Sequence, residues 1–320
     1  MKNTLYLIFA LVTLASCERE ELPVAAHETG ALTTSAVNMD ANYRWQIYFD
    51  LGTNREVGRC LKTSWDLAFQ TTASGFHIFL NSSKAMSAWN TGDTSFTAIT
   101  DSAGFAAARK FDEASGNQDS TAIGDWRQTK PVYIIDRGYS ETGQPQGIRK
   151  IQILQVNSSA YEIRFATLTG SENRITVAKD STYNFTFVSL SSTGSIVSVE
   201  PPKASWDLVF TQYTHIFHQP FTPYLVTGCL LNSWQTASAV DTINSFESTG
   251  FAELQQYTLN NAVNTIGYEW KVFDGTQFTI VPNRFYIIRD SENYFYKLRF
   301  TDFYDANGVK GNPKWEFQRL

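Results

Sequence analysis

Residues that carry chemistry are scarce in this 320-residue chain. It holds four His, three Cys and three Met, and only 18% of its residues are charged. Soluble domains usually carry about 25% charged residues. A hydrolase or zinc site would have few parts to draw on. The Gly-x-Ser-x-Gly elbow, Gly-x-Gly-x-x-Gly, the P-loop, His-Glu-x-x-His and Cys-x-x-Cys are all missing. That removes the motif-borne routes to acyl transfer, dinucleotide or phosphate binding and zinc or thiol chemistry. A net charge of −5 lacks the basic footprint of a nucleic-acid binder. No enzyme and no nucleic-acid partner is expected.

Aromatic residues, by contrast, are plentiful: 23 Phe, 15 Tyr and 8 Trp. With 42% hydrophobic residues the chain has ample material for a core, and its length suits one large or two ordinary domains. The N-terminus is a separate object. Lys2 supplies a positive n-region and Leu5 to Ala15 a mostly apolar h-region, too short to span a bilayer. Leu14-Ala15-Ser16-Cys17 resembles a bacterial lipobox, so residues 1–16 read as a lipoprotein signal and Cys17 as the lipidated residue. Glu18-Arg19-Glu20-Glu21 resembles the acidic surface-export signal of some Gram-negative lipoproteins. An outer-membrane lipoprotein, surface-exposed or facing the periplasm, is expected. Residues 17–35 read as a flexible tether. Two fates are open for Cys60 and Cys229: a disulfide in an oxidising envelope, or, the favoured one, two small buried hydrophobes.

Beyond the tether the chain repeats itself. Ser64-Trp65-Asp66-Leu67-Ala68-Phe69 returns as Ser205-Trp206-Asp207-Leu208-Val209-Phe210. Leu80-Asn81-Ser82 returns as Leu231-Asn232-Ser233, and Gly104-Phe105 as Gly250-Phe251. Ile123-Gly124 with Trp126 matches Ile266-Gly267 with Trp270. Tyr133-Ile134-Ile135 matches Tyr286-Ile287-Ile288, and Lys150-Ile151 matches Lys297-Leu298. The order is kept and the offsets run from 141 to 153, which implies two divergent copies, 36–170 and 181–320. Whether they fold apart or as one body is open.

Period-two alternation dominates both copies. Tyr161, Ile163 and Phe165 alternate with Glu162, Arg164 and Ala166, as a half-buried strand should. Helical patterns are confined to one short stretch per copy, near 103–114 and 249–261. The expected class is all-β, mainly antiparallel, with one short helix per repeat. Asp66 and Asp207 read better as carboxylates accepting backbone bonds beside a core Trp than as an acid–base pair.

The two copies differ most between these anchors. From Trp to the matched Asn is 16 residues in the first copy (65 to 81) and 26 in the second (206 to 232). The excess holds Tyr213-Thr214-His215-Ile216-Phe217-His218-Gln219-Pro220-Phe221. Aromatic walls with an imidazole suit a flat macrocycle, and loops on a rigid scaffold collect binding groups.

The second copy resembles a HmuY domain, from the haem-binding lipoproteins of Gram-negative anaerobes. Ser205 to Phe210, Ile266 to Lys271, and the closing run Tyr296 to Tyr304 followed by Gly308 and Gly311-Asn312-Pro313 carry the likeness. It implies an antiparallel β fold, haem as ligand without catalysis, and delivery to an outer-membrane transporter. Family members hold haem iron between two axial His or Met side chains. The second copy has no Met, so His215 and His218 are the local candidates, and His77 and Met86 the candidate partners from elsewhere. Three apart on a strand, His215 and His218 would point to opposite faces and could not both grip one iron. The alternative on the same scaffold is a site for a glycan, a peptide or a partner protein.

Overall fold

The computed structural model describes residues 29–320. The expected signal and Cys17 lie outside the described residues. Twenty strands, numbered in chain order, occur among the described residues, and every pairing in the sheets is antiparallel.

Each copy builds a five-stranded sheet. In the first the order is β10 (Asn173–Ala178), β9 (Ala160–Ala166), β8 (Ile148–Val156), β7 (Val132–Asp136), β6 (Ser87–Asn90). In the second it is β1 (Thr33–Ala36), β20 (Lys310–Arg319), β19 (Phe295–Tyr304), β18 (Phe285–Arg289), β15 (Ala237–Asp241). Residues 33–35, expected at the end of the tether, thus belong to a strand, with Thr33 opposite Phe317. A small hairpin, β16 (Lys271–Phe273) and β17 (Phe278–Ile280), stands apart.

The two four-stranded sheets mix the copies. One runs β12 (Ser195–Val197), β11 (Phe185–Ser189), β4 (Leu67–Gln70), β5 (Ile78–Leu80). The other runs β14 (Phe221–Leu231), β13 (Leu208–His218), β2 (Trp45–Asp50), β3 (Arg55–Leu61). The opening hairpin of each copy therefore joins the other copy's sheet: Phe49 pairs with Leu208, and Val188 with Leu67. The copies form one body with exchanged hairpins.

Burial follows the exchange. Ile47, Phe49 and Leu51 pack with Phe210, Trp270, Tyr286 and Trp315 of the second copy. Val188 and Leu190 pack with Phe69, Trp126, Tyr133 and Ile163 of the first. Alternate residues of the same strands point the other way. Tyr48 and Phe187 join Trp65, Trp206 and Val209 in a third cluster between the copies. This explains four consecutive buried residues in β2: a strand covered on both faces loses its polar alternation.

The helices are shorter than their sequence patterns. Phe105–Ala108 is a single α-helical turn and Phe251–Gln256 a 3-10 helix. Each ends because the next residues pair with a strand edge, Lys110 with Ala88 and Asn260 with Ser238. Cys60 and Cys229 are free thiols in different clusters. Burial pushes the Cys60 thiol up to about 12.

Candidate functional site

The ten-residue excess of the second copy is a long hairpin. β13 and β14 have 11 residues each, against 4 and 3 for β4 and β5. They pair without interruption from Leu208–Leu231 to His218–Phe221, and Gln219-Pro220, joined by a cis bond, closes the turn.

Its two faces do different work. Directly opposed residues share a face, so His215 stands beside Tyr224, and His218 beside Phe221. The face of Thr214, Ile216 and His218 lies against the first copy. The Thr214 hydroxyl donates to Ser82 O at 2.7 Å, and Ile216 is buried. His218 Nε2 lies 3.5 Å from Glu113 Oε1, and Phe221 meets Phe111 with ring centroids 6.4 Å apart.

The opposite face carries His215 among aromatic rings. Its imidazole meets Phe217 edge-on at 4.8 Å and Tyr268 at 5.2 Å; Phe217 lies 6.4 Å from Tyr224. Phe217 and Tyr224 are 43% and 59% exposed, whereas His215 is half-buried. Exposed apolar patches mark interaction sites in general, and two exposed rings beside a half-buried imidazole make this face the candidate.

The other sequence candidates do not reach this face. Met86 is 2% exposed and packs in the first copy's core beside Leu80 and Trp126. Its thioether is enclosed by that core. His77 lies just before β5. Its Nδ1 is 3.0 Å from Gln70 Oε1, and its ring lies 3.9 Å from that of Phe76. Burial pulls the His77 imidazole below its usual range, opposed by Asp119 and Asp125 and reinforced by Arg127. All these neighbours belong to the first copy. His215 and His218 share a strand but face opposite ways, as the spacing implied.

Asp66 and Asp207 sit at the exchange points. Asp66 Oδ2 accepts from Leu190 N at 2.6 Å, and Asp207 Oδ2 from Leu51 N at 2.8 Å. Each carboxyl ties the incoming hairpin to the Trp-bearing strand of the other copy, the backbone-accepting role expected. Sequence reasoning missed Tyr224 and Tyr268. Tyr224 becomes visible once a two-residue turn is placed at Gln219-Pro220, because counting back sets it opposite His215.

A family model described as HmuY protein matches the chain twice, over residues 42–178 and 181–317. The first copy is thus matched as fully as the second. Among solved structures, apo PinO from Porphyromonas gingivitis is 9% identical over 91% of this chain and 97% of its own, with a TM-score of 0.30. A protein of Bacteroides vulgatus described as HmuY-like and heme-binding is 11% identical over 89% and 90%, with a TM-score of 0.23. The apo HmuY analog of Tannerella forsythia is 10% identical over 92% and 99%, with a TM-score of 0.23. At such scores the structural likeness carries no weight of its own. No curated protein matches. The two matched segments of the family model cover most of the sequence, and on that ground the chain belongs to the HmuY family.

Proposed function

We propose that this protein is a lipid-anchored binding lipoprotein that takes haem on the His215 face of the β13–β14 hairpin, without catalysis, for transfer to an outer-membrane transporter. The observation that carries the reading is a lone imidazole framed by Phe217, Tyr224 and Tyr268 on an exposed hairpin face. The chain's family supports the choice of ligand.

The residues present fit a haem held by one axial imidazole. A neutral imidazole nitrogen is an accepted ligand of haem iron, and flat rings offer stacking area to a macrocycle. His215 would donate to the iron, and Phe217 and Tyr224 would cover apolar macrocycle edges. Bound haem would supply an iron centre as cargo. His218 would stay at the seat on the first copy, beside Glu113. Cys17 would carry the acyl chains that hold the body at the outer membrane.

Haemin titrated into residues 18–320 should develop a Soret shift. His215→Ala should weaken binding at least tenfold, about 1.4 kcal/mol, while His218→Ala should bind as the native chain does. No spectral change at micromolar protein, or equal losses in the two variants, would sink the reading. A glycan stacked on the same rings is the second reading, favoured by the exposure of Tyr224. Glycan binding without a haemin response would select it. Incorporation of a labelled fatty acid, abolished by Cys17→Ser, tests the anchor.

A further inference from the structure

The two copies share one arrangement of cations over a phenyl ring, and differ in which strand supplies them. Phe96 of the first copy has Lys150 and Arg164 over its ring, 4.8 and 4.6 Å from the centroid. Its match Phe246 has Lys297 and Arg299 at 4.8 and 4.3 Å. The arginine has changed strands. It lies on β9 in the first copy and on β19 in the second, opposite Gln152 and Glu316 respectively.

That exchange opens the second copy. Gln152 Oε1 accepts from Arg164 Nε at 2.8 Å and Nη2 at 2.6 Å. Its amide nitrogen donates to Thr94 O at 3.1 Å and Lys130 O at 2.6 Å. One carboxamide thus ties the loop after β6 to the segment before β7. Counting back from the matched Phe96–Phe246 and Tyr133–Tyr286 sets Asn244 in the place of Thr94, and Asn283 in that of Lys130. Arg299 donates instead to carboxylates, through Nε and Nη2 to Glu316 Oε2 at 3.0 and 2.8 Å, and through Nη1 to Glu247 Oε1 at 2.6 Å. No side chain replaces the carboxamide. Asn244 O and Asn283 O have no hydrogen-bond partner among the described residues.

A cavity of about 380 Å³ lies there instead, lined by both asparagines, and both are exposed. Sites for small molecules start at about 300 Å³. Two cations, Arg284 and Arg299, and two anions, Glu247 and Glu316, border it. So balanced a lining favours a neutral donor over a lone ammonium or carboxylate. No residue of the His215 face lines the cavity, so this site is separate from the hairpin. We propose that the cavity binds a small molecule carrying a primary carboxamide, whose N–H groups bond Asn244 O and Asn283 O. The ligand supplies from outside what Gln152 supplies internally in the first copy.

Free glutamine titrated into the ¹⁵N-labelled full chain tests this. The amide resonances of Ser245 and Arg284, which share peptide units with the two carbonyls, should shift saturably. That of Ser95, behind the carbonyl already held by Gln152, should stay in place. Glutamate, which has an acceptor where glutamine has the donor, should bind at least tenfold more weakly. The double variant Arg299→Gln with Glu316→Arg, which rebuilds the first copy's pair, should weaken glutamine binding at least tenfold. Unmoved Ser245 and Arg284 resonances at millimolar glutamine, equal affinity for glutamate, or full binding by the folded double variant would overturn the assignment. If the double variant does not fold, glutamine against glutamate on the native chain decides alone.

Discussion

The Trp-Asp step occurs twice in this fold, with the same backbone bond and opposite electrostatics. In the first copy Asp66 is fully buried and paired with the equally buried Lys84 ammonium. Arg137 reaches Asp66 Oδ2 through Nη2 at 3.1 Å and Nε at 3.2 Å. Burial pulls the Lys84 ammonium down, and Asp66 pushes back. In the second copy the matched positions hold Gln235 and Asp290. Asp207 keeps its bond from Leu51 N but has lost both cations. Burial pushes its carboxyl up to about 7, and Asp290, Asp50 and Glu292 press the same way. Receiving the exchanged hairpin needs only an oxygen lone pair, which a neutral acid also has. Duplication preserved the acceptor and let the charge state drift.

The largest effect should come from breaking the paired version. Asp66→Asn keeps an acceptor for Leu190 N but leaves Lys84 and Arg137 without a counter-charge. Removing one partner of a buried ion pair costs about 3–5 kcal/mol. Asp207→Asn strands no cation, so its cost should stay within about 1 kcal/mol, the scale of one neutral hydrogen bond. Urea unfolding of both variants at pH 7 measures the difference. Equal costs would mean that the cations in the first copy contribute nothing beyond the shared backbone bond.

The comparison also predicts a pH dependence for one copy. The Asp207 carboxyl titrates at about 7 when folded, against about 3.9 for an exposed Asp. Between these values the folded state holds the proton that the unfolded state has released. Stability therefore falls as pH rises from about 4 to about 7. Glu200, pushed up to about 7 by burial, contributes with the same sign. Asp207→Asn should remove its share, so the stability lost between pH 5 and pH 8 should shrink. A loss as large as in the native chain would show that Asp207 is charged throughout.

Much of this arrangement was legible in the residues, and the unread parts share one cause. The anchors fixed the two copies, and alternation in Tyr161, Ile163 and Phe165 marked β9, where all three are buried. The exchange of β2–β3 and β11–β12 was not legible. Duplication puts the same Trp-Asp strand in both copies, so each hairpin had two equivalent edges to join, and only packing in three dimensions decides between them. The helices lie where their patterns put them but are shorter, because edge pairing at Lys110 and Asn260 took residues that local propensity had assigned to helix. At the candidate site His215 was readable, but Tyr268 arrives from a distant segment. The burial of Met86 was not readable, because spacing carries no information about burial.

The smallest effect sharpens the contrast between the short hairpin of the first copy and the long one of the second. The long hairpin rests on the first copy through Thr214, Ile216 and the His218–Glu113 contact, and only the last is ionic. The His218 side chain is 66% exposed, and the pair attracts only while the imidazole is protonated. Exposed pairs of this kind contribute about 0.2–1 kcal/mol. Glu113→Gln should therefore cost at most about 0.5 kcal/mol. Combined with His218→Ala in a double-mutant cycle, it should show coupling of the same small size. Coupling well above that range would make the ion pair the seat of the hairpin. The proposed division of its faces would then fail, because a His218 needed to hold the hairpin in place would make its loss disturb haemin binding as much as the loss of His215.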